Sequence, residues 1–143
     1  QVMIEQSVEF NPAEFSSALS DEYKLVALAR QGLQFEYFLK IVDQSAFSLK
    51  EWYEWIHLTE RTLQRYRLEN KPFESIHSER VLEIARLFKF GETVFGDPDK
   101  FKTWLNAENI ALGGIVPKSL LDNTFGIGIL QDELIRIQHG VLA

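Results

Sequence analysis

Hydrophobic positions recur along this chain at spacings of three and four, the period of helices packed through one face. Tyr23 to Arg30 is dense in helix formers, and Gly32 follows as a stop. Phe35, Phe38, Leu39 and Val42 continue the same period from Leu33 to about Asp43. Ser48-Leu49-Lys50-Glu51 is a capping box, in which serine and glutamate each satisfy a free backbone N–H, and it opens a short helix to about Ile56. Thr59 caps the next helix, to about Leu68 or Glu69, before Asn70-Lys71-Pro72 breaks the chain.

Ser78 is expected to cap a helix with Val81, Ile84, Ala85 and Phe88 as its buried stripe, Leu82 and Leu87 flanking it, and Gly91 ending it. Asp97-Pro98 starts another, because aspartate caps and proline suits the first helical position. That helix carries Phe101, Trp104 and Leu105. Gly113-Gly114 marks a loop, and Pro117 begins a short helix through Leu121. Thr124 is expected to cap a last helix that places Ile127, Leu130, Leu134 and Ile137 on one face and stops at Gly140. No strand pattern or internal repeat competes, so the fold class is all-α. Residues 1–20, with Asn11-Pro12 and several serines, read as an arm. Residues 21–90 form a helical region, and 91–143 a second, smaller one.

Composition changes this picture little. Of 143 residues, 45% are hydrophobic and 13% aromatic, enough for a core. The absence of cysteine excludes disulfides and thiolate metal sites, and fits a cytoplasmic location. No apolar run reaches membrane-spanning length, and Gln1-Val2-Met3-Ile4-Glu5 lacks the basic-then-apolar layout of a signal peptide.

Charge is more informative. The net charge of −6 argues against a generic polyanion binder. Residues 61–71 nevertheless carry Arg61, Arg65, Arg67 and Lys71 against Glu69 alone, while 1–60 hold 4 basic against 10 acidic groups and 72–143 hold 7 against 10. This segment lies on the second of two short helices with helix-turn-helix spacing. A 100° step per residue puts Arg61, Gln64 and Arg65 on one face, with Thr62, Leu63 and Tyr66 opposite. Arginine and glutamine can read guanine and adenine edges bidentately. Arg67 and Lys71 would sit toward phosphates. The competing reading is a solvated helix face, which ordinarily carries such residues. Tyr53 stands where close helix packing favours a small residue. His57 stands where the turn favours glycine for its positive φ, so the fold can persist with a shifted helix angle and weakened DNA binding.

Catalytic chemistry finds no support. His57, His77 and His139 are isolated and read as turn, surface or end-cap residues. Gly126-Ile127-Gly128 lacks the third glycine, preceding strand and lysine of a phosphate loop and reads as close helix packing. No metal or cofactor is implied.

From Gly91 onward the order of residues is specific. Gly91 to Gly96 leads into Asp97-Pro98, Trp104-Leu105, Ala111-Leu112-Gly113-Gly114, Pro117, Leu120-Leu121 and Gly126. It closes on Leu134, Arg136-Ile137 and His139-Gly140-Val141. This stretch resembles the C-terminal toxin-binding domain of the Xre/MbcA/ParS antitoxins, and residues 45–90 resemble that family's Xre-like helical region more loosely. The resemblance implies an antitoxin encoded beside a RES-domain toxin that degrades NAD or transfers ADP-ribose. The C-terminal domain would cover the toxin's active-site cleft, and the helical region would dimerise and bind the operon's promoter. By position, the implied toxin contacts are Leu112, Gly113, Gly114, Pro117, Leu121, Arg136, His139, Gly140, Val141, Leu142 and Ala143. Read as chemistry, Gly113-Gly114 permits close backbone approach, Arg136 can pair with a carboxylate or phosphate-like group, and the apolar tail can enter a cleft. Pro117, Leu120 and Leu121 also suit a purely structural role. Phe125 and Ile127 add bulk around Gly126 beyond the family pattern. A stand-alone helix-turn-helix regulator is the alternative.

Overall fold

The computed structural model describes residues 9–140. Its elements are α1 (Pro12–Ala18), α2 (Glu22–Gln31), α3 (Phe35–Ser45), α4 (Leu49–Ile56), α5 (Glu60–Glu69), α6 (Ser75–Phe95) and α7 (Pro98–Asn106). Two 3-10 turns, Ile110–Leu112 and Pro117–Leu120, lead into α8 (Thr124–Gln138). Apart from one isolated antiparallel bridge between Asn109 and Ile115, the regular structure of the described residues is helical. None of these helices is long and apolar enough to cross a membrane.

The 21 residues of α6 make a rod about 31 Å long, against which α2, α3, α4, α7 and α8 all pack. That is why Leu82 and Leu87, expected at the margin of its stripe, are as buried as Val81 and Ile84. A helix contacted on several sides needs apolar residues on several sides. The hydrophobic core runs without interruption from Phe15 to Leu134. Its centre is aromatic. Trp52 has no exposed surface and meets Phe38, Trp55 and Phe88 edge-on. Its indole N–H donates to Ser45 Oγ at 2.9 Å, which removes the cost of burying a polar group unpaired.

Several caps follow the sequence. Ser48 and Glu51 form the full capping box, Thr59 Oγ1 accepts from Thr62 N–H, and Asp97 caps α7. Others do not. Ser78 lies a turn inside α6, whose N-cap is Glu74, and is completely buried. Its hydroxyl instead accepts the N–H of Leu33 at 3.0 Å, across 45 residues of sequence. Gly91 does not end α6. It sits within it, because an added Cβ would fall 2.2 Å from the Phe101 ring, and the left-handed C-cap is Gly96 (φ 73°). Asn123, not Thr124, caps α8, its Oδ1 accepting from Gly126 N–H at 2.7 Å.

The expected N-terminal arm is folded in the part described here. Asn11 caps α1, and Phe15 and Leu19 enter the core. Lys89 on α6 donates to Ser16 O (2.5 Å) and Ser20 Oγ (2.8 Å), fastening this helix down. The rest of the arm, residues 1–8, lies outside the described residues. The expected division between residues 90 and 91 falls inside α6.

Candidate functional site

Two exposed faces carry the sequence-derived candidates. The first is α5. Leu63 and Tyr66 are buried, while Arg61, Gln64 and Arg65 stand in solvent on the other side. Leu68, 82% exposed, extends that outward face. Arg67 does not join it. Its guanidinium lies 5.9 Å from the centre of the Phe35 ring, a cation–π position. Lys71 is exposed, with its ammonium 3.8 Å from the Glu69 carboxylate.

The turn before α5 meets the expectation of a positive φ. His57 is left-handed (φ 61°, ψ 40°) and caps α4. Its side chain has a further role that the sequence did not reveal, since Nε2 donates to Asp122 O at 2.7 Å. Tyr53 is accommodated half-buried against the core, its hydroxyl pKa raised by burial and by the Glu60 carboxylate.

The second face belongs to residues 91–140. Gly113 (φ 82°) and Gly114 (φ 86°) are successive left-handed residues in a loop closed by Asn109 N–H to Ile115 O (3.0 Å) and Gly114 N–H to Asn109 O (2.8 Å). An added Cβ would meet nothing within 4 Å at either position. Both glycines therefore serve backbone conformation, and their main chain is open to an approaching molecule. Leu112 is half-buried against the core. Pro117 and Leu121 are buried, so their side chains hold the fold and are out of a partner's reach. Arg136 is exposed, with Nε (3.1 Å) and a terminal nitrogen (2.5 Å) forked onto the Glu133 carboxylate. His139 is the exposed C-cap of α8, and Gly140 has a positive φ of 74°. Val141, Leu142 and Ala143 lie outside the described residues.

The sequence reading missed the apolar surface here. Five of the nine large hydrophobics exposed among the described residues fall between 110 and 135: Ile110 (94%), Ile115 (41%), Phe125 (85%), Ile129 (47%) and Ile135 (37%). Phe125 does not crowd Gly126; it points to solvent, and Ile129 follows one turn later. The signal was available. Both are apolar yet fall off the Ile127–Leu130–Leu134 stripe that α8 buries.

Contacts made by α4 and α6 tie the two faces together. Lys118 pairs with Glu51 at 2.6 Å and lies 5.6 Å from the Phe47 ring centre. Arg80 on α6 reaches Trp55 O (3.3 Å), Glu83 (3.1 Å) and Thr124 Oγ1 (3.5 Å). Burial would raise the Glu51 pKa, but bonds from Lys118 and from the Ser48 N–H and hydroxyl, with the Lys118 charge, bring it below the ordinary carboxylate value. The histidines do not converge. His77 bonds Ile56 O at 2.9 Å, His57 bonds Asp122 O, and His139 ends α8.

Two family descriptions match in the same order as these faces. Residues 24–86 match the antitoxin Xre-like helix-turn-helix domain, and residues 91–140 match the antitoxin Xre/MbcA/ParS C-terminal toxin-binding domain. Among individual proteins, the chain is similar to a Prs ADP-ribosylating antitoxin of Sphingobium sp. (strain YBL2), 32% identical over 103 residues. That match spans 66% of this chain and 65% of the relative's length. It is also similar to antitoxin Xre of Pseudomonas putida (23% over 122 residues, 85% of this chain and 76% of the relative). Antitoxin Xre of Photorhabdus laumondii is 26% identical over 120 residues, 83% of this chain and 81% of the relative. With both domains present in sequence order, the chain belongs to the Xre/MbcA/ParS family of antitoxins, a class of non-enzymatic proteins.

Proposed function

We propose that this chain neutralises a RES-domain toxin, laying residues 91–140 and the tail beyond over the toxin's active-site cleft. The observation that carries the reading is the exposed apolar set on that segment, Ile110 and Ile115 flanking the open Gly113-Gly114 backbone and Phe125 and Ile129 on α8. Isolated exposed hydrophobics are ordinary, but their concentration on one small domain suits a protein interface. Arg136 and His139 lie on the exposed surface of the same helix end and suit a carboxylate or phosphate-like group in the cleft. The name of the Sphingobium relative mentions ADP-ribosylation, which favours ADP-ribose transfer over NAD degradation as the toxin's reaction.

Co-expression with the toxin encoded beside it tests this. Wild type forms a stable complex and restores growth, whereas Phe125→Asp with Ile129→Asp abolishes capture while keeping the wild-type melting profile. A folded toxin and a folded antitoxin that do not associate would sink the reading.

The same reading includes a homodimer that represses its own operon through α5, with Arg61, Gln64 and Arg65 toward base edges. The outward, unburied position of these three supports it. A gel shift with upstream DNA at low salt is expected for wild type and not for the Arg61→Ala, Arg65→Ala double variant.

A further inference from the structure

Helix α2 packs on α6 and α1 yet leaves apolar residues in solvent. Its sequence Leu25-Val26-Ala27-Leu28-Ala29 is apolar on every side, a pattern proper to a buried helix. Yet none of its residues is fully buried. Leu25, Leu28 and Ala29 lean on α6, while Val26 stays 45% and Tyr23 89% exposed. The outer face also has an order to its charges. Glu22, Val26 and Arg30 follow one another at intervals of four, so they form one column along the helix, with acid first, valine in the middle and base last.

The geometry points to this column as a homodimer interface, with α2 packed antiparallel on α2 of a second copy and Val26 on the two-fold axis. The two charged residues are equally far from Val26, about 6 Å along the helix. An antiparallel copy centred there sets Glu22 of each chain against Arg30 of the other, and two-fold symmetry forms the pair twice. Tyr23 then falls opposite Ala29 of the copy, a small residue that leaves room for a ring. Arg86 on α6 stands 3.6 Å from Glu22 and holds that carboxylate at the edge of the face. A column complementary to its own reverse selects a second copy of this chain over an unrelated protein. The inference rests on the homodimer proposed above and supplies its surface and register.

Sedimentation velocity of the purified full chain, without toxin, across a concentration series tests it. Wild type is expected to be a dimer. Glu22→Arg and Arg30→Glu each place like charges at both pairs and weaken the dimer about tenfold or more. Mixing those two variants restores the wild-type association, since every pair across the resulting heterodimer is again opposite in sign. Circular dichroism melts establish that each variant is folded, and Arg30→Glu does not disturb the Glu22–Arg86 contact. A wild type that stays monomeric overturns the inference. So does a dimer indifferent to Arg30→Glu, or a mixture that stays monomeric. Toxin capture is scored separately by co-purification, so its failure would leave the sedimentation result standing.

Discussion

Gly126 and Gly128 lie two residues apart on α8 and differ completely in their surroundings. A Cβ at Gly126 would sit 2.0 Å from Leu120 O and 2.9 Å from Leu120 C, both main-chain atoms that cannot rotate away. At Gly128 it would meet nothing within 4 Å. Gly126→Ala must therefore push α8 and the Pro117–Leu120 turn apart by about 1 Å to reach the shortest contact real Cβ atoms tolerate. Overpacking of this kind costs about 1–3 kcal/mol. The shift also strains the 2.7 Å bond from Gly126 N–H to Asn123 and the 2.7 Å bond from His57 to Asp122 O. Alanine's better helix propensity returns at most about 1 kcal/mol. With the overpacking at the upper end, as main-chain contacts this short require, the net is a destabilisation of about 2 kcal/mol, a fall in Tm of about 6 °C for a chain of this size. Gly128→Ala has only the propensity term and should raise Tm by about 2 °C. Thermal and urea denaturation followed by circular dichroism measures both. If the two variants melt together, packing does not govern the first position and the reasoning fails.

Ser78→Ala leaves the Leu33 N–H buried without an acceptor and should lose about 2 kcal/mol in urea denaturation. Lys118→Met removes the pair with Glu51 and should cost about 1 kcal/mol at pH 7. Because the folded state lowers the Glu51 pKa, the stability tied to it is present above the unfolded value near 4.5 and is lost as pH falls through the folded one. The gap between wild type and Lys118→Met should accordingly narrow in melts run at progressively lower pH below 4.5.

What could be read from the sequence depended on whether the deciding partner was close along the chain. Ser48 and Glu51, Thr59 and Thr62, and Asp97 with Pro98 settle their caps within a few residues, and each formed. Ser78 resembled a cap locally, but its partner Leu33 is 45 residues away. Gly91 resembled a helix stop because the Phe101 ring that requires it belongs to another helix. Residues 1–20, with Asn11-Pro12 and several serines, read as an arm, although asparagine as a cap followed by proline at the first helical position is also a helix start, and Phe15 had a core to enter. At the candidate sites, periodicity separated Arg61, Gln64 and Arg65 from Leu63 and Tyr66 correctly. It could not show that Arg67 would settle over Phe35, or that His57 would reach Asp122, because both partners come from other elements.

The continuity of α6 bears on how the chain can be divided. The two matched segments end at 86 and begin at 91, yet no joint lies between them, because the helical hydrogen bonding continues through Phe95. A cut at 90 would part Phe88 from Phe101, whose rings lie 5.9 Å apart, and divide α6 between its contacts with α2, α3 and α4 and those with α7 and α8. The helix-turn-helix and toxin-binding domains are thus built on one shared helix and one core. Removing either domain would expose to solvent the α6 surface that it covers.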